Sequence, residues 1–426
     1  MNGAFKKVSR DVAPSIDYSV SPHIIGEINT LDLEGNLVDA VWGSLRPPVP
    51  TSPFRLHPLK YAGRSVTEKV SEIRQRMDAK KASLSIFTAL DDVAYLLNLR
   101  ATGDVYTCPV GIAYATVTNE SVSIYCDPSK IQSTEVQVHL EEAGVTFRLY
   151  DKLLLDVKNH ISSNTNAKVW LDGTRSNFAI CRLVPKGRLI DSQNAVSPMK
   201  AIKNTAEMEG MRRAHIVDGV AMANFVSWLE NEIVQKGRLV SEVEIDKVLQ
   251  NFRAEQHGYI EDSFPTIAGV GGNGAIIHYH ATKTSQILKY LDRNEPVLID
   301  SGGQYEYGTT DVTRTFHFGD PGSELIDAYT RVLKGHIGLD SMKFPENTPG
   351  FVLDVVARTA LWEVGKDYGH GTGHGVGAAL NVHEGPLSIS PRWGNKEVLK
   401  KSMVSPYLKY WPNHDNSILY NLSKKL

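Results

Sequence analysis

The sequence has few cysteines, almost no net charge and no long hydrophobic run. Cys108, Cys126 and Cys181 are its only cysteines in 426 residues, and no pair has CxxC spacing. We expect reduced thiols, not a disulfide framework or a sulfur-based metal site. The formal net charge is −2 at pH 7, without a block of five or more like charges. These features argue against a nucleic-acid partner or an acidic lipid surface held by bulk electrostatics.

Signals for export or membrane insertion are also lacking. No stretch approaches the roughly 18 to 20 apolar residues that span a bilayer. Residues 1–17 mix charged and isolated apolar residues, and they contain no apolar core of roughly 7 to 15 residues as in a signal peptide. We therefore predict a cytoplasmic protein without a membrane partner.

What the sequence does contain is enough apolar material for a large core. Hydrophobic residues make up 42 % of the chain and charged residues 22 %, and this length favours two domains or more. We predict an irregular segment 1–45, a proline-rich linker 46–64, an α/β domain 65–198, a second domain 199–405 and a tail 406–426. The α/β domain shows no catalytic constellation.

Helix caps and periodicity predict the main elements. A helix begins near Ser65, and another begins where Asn204 or Thr205 can cap it. Ser241 and Glu244 have the spacing of a capping box. Strands are predicted over 84–90, 110–117, 121–126, 169–171, 264–267, 275–278, 296–299 and 309–316, and further helices over 323–342 and 352–364.

Two aspartates frame a predicted hairpin. Asp300 follows three branched apolar residues, and Asp311 lies on the return strand of a hairpin that turns near Glu306 to Gly308. Two carboxylates in a site of low dielectric constant repel each other unless a cation neutralises them, so a divalent metal is their natural partner. The alternative is a hairpin with solvent-facing aspartates, and on this pair alone that is the commoner case.

A glycine-rich run carries two histidines four positions apart, His370 and His374. Five glycines in nine residues exclude a stable helix, so this is not the helical zinc motif. The glycines indicate backbone brought close to a ligand. A single histidine is more often structural, but two of them in such a run after a paired-aspartate hairpin favour function. His278 and His383 are weaker candidates on their own.

Four motifs in order resemble one family. The runs 299–302, 308–315, 370–377 and 381–386 are similar to cytosolic Xaa-Pro aminopeptidase (aminopeptidase P) of the pita-bread metallopeptidases. The similarity extends back through 209–215 and 264–267 into the α/β domain. The resemblance implies an α/β (α+β) fold, with a creatinase-like α/β domain before a pita-bread catalytic domain.

The family also implies a mechanism and its residues. Its members remove the N-terminal residue from peptides with proline in second position, using two metal ions, usually Mn²⁺, and a metal-bridging hydroxide. Carried over by motif, Asp300 binds one metal, Asp311 bridges both and His374 binds the other. His278 and His370 line the substrate pocket, and His383 assists proton movement. His280 is an alternative for His278. A homodimer in the cytoplasm is implied too.

The sequence departs from the family after the histidine run. The family has two further glutamate ligands there, and neither of their segments is found; the carboxylates after His374 are Glu384, Glu397 and Asp415. We expect a chain truncated at both ends relative to the family, with impaired metal binding. Three interpretations follow: an active Xaa-Pro aminopeptidase, a catalytically inactive pita-bread module that binds peptides or pairs with an intact subunit, and a creatinase or dipeptidase activity. The run 381–386 favours the aminopeptidase over the last.

Overall fold

The computed structural model describes residues 37–405, which form two compact units. One unit contains residues 37–53, 70–93 and 112–194, and the other contains 54–69, 94–111 and 195–405. Within the described range, no helix has both the length and the apolar content that crossing a bilayer requires. The predicted segment 1–45 lies mostly outside the described residues, and the predicted tail 406–426 lies wholly outside them. The predicted domain boundaries stay a prediction.

The described residues form twelve α-helices. They are α1 (Leu37–Trp42), α2 (Leu59–Ala62), α3 (Val66–Lys80), α4 (Leu90–Leu96), α5 (Thr134–Glu142), α6 (Leu153–Ser163), α7 (Phe178–Leu183), α8 (Val196–Ala201), α9 (Thr205–Glu230), α10 (Glu242–Ala254), α11 (Ser323–Ser341) and α12 (Gly350–Trp362).

Eighteen short strands accompany these helices in the described range. They are β1 (Arg55–Leu56), β2 (Leu84–Phe87), β3 (Leu99–Arg100), β4 (Ala113–Thr118), β5 (Val122–Cys126), β6 (Val145–Leu149), β7 (Val169–Leu171), β8 (Leu189–Asp191), β9 (Val240–Ser241), β10 (Tyr259–Asp262), β11 (Ile267–Val270), β12 (Tyr290–Leu291), β13 (Val297–Ser301), β14 (Gly303–Tyr305), β15 (Gly308–Thr309), β16 (Val312–Phe316), β17 (Gly373–Gly375) and β18 (Glu384–Ile389).

The first unit is built on one six-stranded sheet. Its strand order is β6-β5-β4-β2-β7-β8, with β2, β4 and β5 antiparallel and the outer pairs parallel. The predicted hairpin of residues 110–117 and 121–126 corresponds to β4 and β5. Ile86 and Val169 of the sheet pack in one core with Val157 of α6 and Ile180 of α7. Burial of such side chains contributes about 1.5–3 kcal/mol each.

The second unit combines two three-stranded sheets, β11-β13-β16 and β10-β14-β15, with the long helices α9 and α10. Of the two predicted caps of α9, Asn204 is the one present, and it belongs to a capping box that was not predicted: Asn204 accepts from the amide of Glu207, and the Glu207 side chain accepts from the amide of Asn204. Ser241 caps α10 with one such bond, in which its hydroxyl oxygen accepts from the amide of Glu244. Glu244 does not return the bond, because its carboxylate pairs with Arg238 at 2.7 Å.

Several predicted strands are wrong, wholly or in part. Of the strand predicted over 264–267 only Ile267 lies in a strand, because β11 begins there and runs to Val270, and Pro265 has no backbone N–H to donate to a sheet. Residues 275–278 form no strand; a 3₁₀ turn occupies Gly271–Ala275, since its glycines and Asn273 favour turns over extended pairing. The strand predicted over 84–90 ends at Phe87, because α4 begins at Leu90. The predicted helices over 323–342 and 352–364 are present as α11 and α12.

Candidate metal centre

The strand register places the two aspartates on one side of the hairpin. β13 and β16 are antiparallel, with Asp300 opposite Thr313. Asp311 lies two positions before Thr313, and side chains two residues apart in an extended chain point to the same side. Both carboxylates are buried, with 9 % of Asp300 and 6 % of Asp311 exposed. The chain turns between Tyr305 and Gly308, as predicted.

His374 is delivered by β17 with one ring nitrogen already engaged. Its Nδ1 lies 2.8 Å from the carbonyl oxygen of Gly375. A carbonyl oxygen only accepts, so Nδ1 donates in this contact and Nε2 is the ring nitrogen that faces Asp311. That Nε2 is buried, lies 3.1 Å from Oδ2 of Asp311, and makes no hydrogen bond with the described residues. An imidazole nitrogen and a carboxylate oxygen placed in this way are a donor pair that a divalent cation can bind.

The separation suits two ligands of one metal ion. Two ligand atoms about 2.1 Å from an octahedral ion and at right angles lie about 3 Å apart. The Nδ1 contact orients the ring as backbone carbonyls orient metal-binding histidines. The donor set of carboxylate oxygens and one imidazole nitrogen is appropriate for Mn²⁺ and similar divalent ions. The residues present therefore fit a metal.

His383 joins this pair. Asp311, His374 and His383 each offer a ligand atom, and these atoms lie within 4.8 Å of one another. The rings of His374 and His383 meet edge to face with centroids 4.1 Å apart. His383 is exposed, whereas Asp311 is buried. The arrangement can hold a cation at its base and exchange protons with solvent at its rim.

Asp300 lies outside this group of three and has its own support. Its Oδ1 accepts a hydrogen bond of 2.6 Å from Thr313 Oγ1. The next residue, Ser301, accepts at 3.0 Å from Arg253, which also pairs with Asp218 at 2.7 Å. Burial alone would raise the pKa of Asp218, but Arg253 outweighs it and holds that pKa below its usual range. A buried charged network thus fixes the end of β13 that carries Asp300.

His370 stands apart from the three clustered side chains. Its ring packs on Tyr368 with centroids 4.7 Å apart, and its Nδ1 lies 2.8 Å from the carbonyl oxygen of Gly371. Arg358, which is buried, donates to the carbonyl oxygens of both Tyr368 and His370 at 2.7 Å. The segment before His374 is therefore held from α12.

His278 is also outside the cluster. It is exposed and adopts a left-handed backbone with φ of 57°, which is uncommon for residues other than glycine. It directly precedes Tyr279, whose hydroxyl donates to Glu242 at 2.7 Å. The alternative candidate His280 is exposed as well.

The glycines of the histidine run serve backbone packing. A Cβ at Gly375 would lie 2.3 Å from the carbonyl oxygen of Glu384, and one at Gly377 would lie 3.0 Å from the Glu384 carboxylate. The close approach predicted from the glycines is thus to Glu384, a buried residue, in these two cases. Glu384 itself forms an ion pair with Lys203 and lies 3.8 Å from Lys200. It is occupied by lysines and directs no free carboxylate toward a metal.

Sequence reasoning missed His215 as a neighbour of the site. This buried α9 histidine has a pKa lowered by burial, although the carboxylates of Asp218 and Asp311 raise it. Its Nδ1 donates to the carbonyl of Met211 at 2.8 Å, and the ring lies in the field of Asp311. Helix periodicity gives no signal for this, because the helix and the aspartate lie far apart in sequence.

Comparisons with known proteins assign both parts of the chain. Residues 45–207 match the creatinase/prolidase N-terminal domain, and residues 209–406 match metallopeptidase family M24. Aminopeptidase P2 of Arabidopsis thaliana is 41 % identical over 409 residues, 89 % of this chain and 57 % of that protein. A probable Xaa-Pro aminopeptidase P of Sordaria macrospora is 40 % identical over 392 residues, 90 % of this chain and 63 % of that protein.

Solved structures agree. The X-prolyl aminopeptidase of Caenorhabditis elegans, described as a cytosolic enzyme with a di-nuclear active site, superposes with a TM-score of 0.82 at 35 % identity. The superposed region covers 87 % of this chain and 60 % of that structure. The Xaa-Pro dipeptidase of Bacillus anthracis, at 21 % identity and a TM-score of 0.63, shares the fold. The chain spans about three fifths of the length of the relatives named first.

Proposed function

Because the chain belongs to metallopeptidase family M24, with a creatinase/prolidase-type domain before the peptidase domain, we propose that it is a metal-dependent Xaa-Pro aminopeptidase. The reaction is hydrolysis of the first peptide bond in substrates whose second residue is proline. Two relatives that share about 40 % of its residues are named aminopeptidase P2 and probable Xaa-Pro aminopeptidase P. The fold-level likeness to a dipeptidase does not favour dipeptide substrates, since a fold alone does not fix a substrate.

One observation carries the proposal: the buried Nε2 of His374, which makes no hydrogen bond with the described residues, lies 3.1 Å from the Asp311 carboxylate. An imidazole nitrogen and a carboxylate oxygen held this close are suitable ligand atoms for one divalent cation. Asp311 and His374 would hold the ion with Asp300 beside them, and Mn²⁺ suits these ligands. When bound, such an ion supplies Lewis acidity and makes water more acidic.

The remaining histidines would act on the substrate. His383 lies at the exposed rim beside His374, where its imidazole can take up and return a proton near neutral pH. His370 and His278 would line the peptide pocket, His370 on the segment held by Arg358. Their histidine N–H groups can donate to a carbonyl oxygen that gains negative charge.

A second candidate function rests on Glu384. Among residues 37–405 the carboxylates after His374 are Glu384 and Glu397, and Glu384 is held by Lys203. Of the metal ligands implied by the family motifs, the described residues thus offer the carboxylates of Asp300 and Asp311 and the imidazole of His374. If these three are insufficient for catalysis, the unit would bind peptides or pair with an intact subunit without cleaving them.

We also propose a cytoplasmic homodimer. Apolar residues at one-face spacing are exposed on the packed helices α11 and α12: Ile326, Leu333, Ile337, Val355 and Trp362 are each 40–53 % exposed. A second copy of the chain would cover them. Sedimentation analysis tests this, since Ile337→Lys should yield monomers and wild type should not. No nucleic acid or membrane is among the proposed partners.

Activity is tested with a proline and an alanine tripeptide that differ only in the second residue. The wild-type chain loaded with Mn²⁺ should release the first residue of the proline peptide and spare the alanine peptide. Asp311→Asn should lower the rate more than about 100-fold, since loss of supporting residues alone costs 10–100-fold. The control Asp292→Asn alters an aspartate whose carboxylate binds only nearby backbone and Asn294. Tight binding of the proline peptide without cleavage would select the second candidate function.

A further inference from the structure

The spacing between His374 and His383 is set by a short loop whose two ends are fixed from outside. The two residues lie nine positions apart, yet their ring centroids are 4.1 Å apart. Only a defined loop conformation can bring them together. The question is which side chains impose that conformation.

The near end of the loop is held by a buried arginine and two polar side chains. Arg100 donates to the carbonyl oxygens of Ala379 at 2.5 Å and Ala378 at 3.3 Å. Gln304 and Thr309 donate to the carbonyl oxygen of Leu380 at 2.8 and 3.1 Å. These donors fix where the chain leaves β17.

The far end is held by Glu384, the residue after His383. Its backbone pairs with Gly375, the residue after His374. Its side chain is 1 % exposed and runs beneath the loop, against Gly377. Any movement of the Glu384 carboxylate is therefore passed directly to the backbone of both histidines.

Lys203 decides where that carboxylate lies. Its ammonium group forms a charge-assisted hydrogen bond with Oε1 of Glu384, and both side chains are 1 % exposed. The backbone amide of Lys203 donates to the carbonyl of Ser402 at 2.9 Å, which anchors the lysine just before α9. Lys200 stands farther off, 3.8 Å from Oε2. A buried carboxylate with one close cation has one well-defined position.

We propose that Lys203 is a positioning residue, which acts through Glu384 to hold the His383 ring against His374. This inference rests on the proposed metal-dependent function of that histidine pair, but it concerns the chain's own geometry. A buried ion pair need not add stability. Its role here is to select one loop conformation.

The first test separates positioning from stability. Lys203→Met removes the close cation of the buried Glu384 carboxylate and leaves Lys200 at 3.8 Å, so it should destabilise the fold and weaken Mn²⁺ binding at least tenfold by calorimetric titration, within the 10–100-fold range of supporting residues. Lys203→Met/Glu384→Gln removes both charges, so it should regain most of the stability. Positioning predicts that Mn²⁺ binding stays weak in this double variant. Recovery of Mn²⁺ affinity in step with stability would overturn the proposal.

The control is a matched ion pair in the first unit. Arg175→Met breaks the contacts with Asp91 at 2.6 Å and with Asp92 at 3.2 Å, where both carboxylates are also buried. It should lower stability without changing the Mn²⁺ affinity. If Lys203→Met does not fold, Glu384→Gln serves as the single variant, because it keeps the shape of the side chain while weakening its bond to Lys203.

The second test needs no metal. In metal-free protein with ¹³C-labelled histidine, NMR signals of the His374 and His383 rings can be assigned with His374→Gln and His383→Gln. The Lys203→Met/Glu384→Gln variant should move both signals, and Arg175→Met should move neither. Unchanged signals would refute the positioning role. If wild type binds no Mn²⁺, the proposed function fails, and this experiment still decides the inference on Lys203.

Discussion

Glu242 offers a sharp test of how the segment carrying His278 is held. This carboxylate at the start of α10 is fully buried. Its Oε1 accepts from the Val270 amide at 2.8 Å and from Asn273 Nδ2 at 2.9 Å. Its Oε2 accepts from Tyr279 at 2.7 Å and from the Lys289 amide at 2.9 Å. One side chain therefore ties both ends of the segment 270–289 to α10.

The free energy of unfolding that Glu242→Ala should lose depends on which of the groups that donate to Glu242 have another hydrogen-bond acceptor. The Asn273 amide also donates to the carbonyl of Ile287 at 2.7 Å and lies 3.1 Å from the Tyr279 hydroxyl. The Val270 and Lys289 amides have no such alternative in these contacts. Each buried donor left without a partner costs about 1–3 kcal/mol, so Glu242→Ala should cost about 4 kcal/mol for the two amides. Glu242→Gln keeps one acceptor oxygen and should cost about half as much.

Urea unfolding followed by tryptophan fluorescence measures the loss of free energy, and hydrogen exchange of peptides covering 270–289 locates it. The matched control is Glu244→Gln, two positions along the same helix. Glu244 is 36 % exposed and pairs with Arg238, and such surface pairs contribute about 0–1 kcal/mol. Equal losses for Glu242→Ala and Glu244→Gln, or unchanged exchange in 270–289, would refute this reasoning.

Three further predictions use other parts of the fold. Burial, with neighbouring cations, holds the pKa of His57 well below 6.5. The unfolded chain therefore binds one more proton than the folded chain below pH 6.5, and the free energy of unfolding falls there by up to about 1.4 kcal/mol per pH unit. Measured by urea unfolding at a series of pH values, His57→Leu should show a smaller slope of that free energy against pH. Gly375→Ala should destabilise the fold by about 1–3 kcal/mol and weaken Mn²⁺ binding, because its Cβ meets the Glu384 backbone. The control Gly394→Ala places its Cβ in open space and should change neither stability nor Mn²⁺ binding. Equal effects of the two substitutions would contradict the packing argument. Burial raises the pKa of Cys126 to about 12, so mass spectrometry after brief iodoacetamide treatment at pH 8 should find it unmodified; rapid modification of the native protein would contradict its burial.

Local signals in the sequence predicted local structure well. Asn204 or Thr205 as a cap predicted the start of α9, and Asn204 caps it, because a cap involves close neighbours in sequence. The aspartate hairpin followed from strand alternation and a turn. The strand expected at 275–278 was wrong, since the glycines before it favour a turn and flanking Asn273 and Tyr279 donate to distant Glu242. Propensity alone cannot reveal such a distant partner.

The candidate site shows the same limit. Asp300, Asp311 and His374 could be chosen because their flanking residues form recognisable motifs. The ion pair of Lys203 and Glu384 could not, because the partners lie 181 positions apart and a lysine in a sequence is usually a surface residue. Likewise, nothing in the spacing of α9 places His215 in the field of Asp311. Buried charges that meet across a fold require the structure.

The central claim is that Asp311 and His374 hold a divalent metal ion. Its most direct test is calorimetric titration of Mn²⁺ into metal-free wild-type chain, Asp311→Asn and His374→Gln, with folding checked by circular dichroism. The account predicts at least one Mn²⁺ ion per wild-type chain and loss of that binding in both variants. Equal Mn²⁺ binding by all three folded proteins, or none by the wild type, would contradict it.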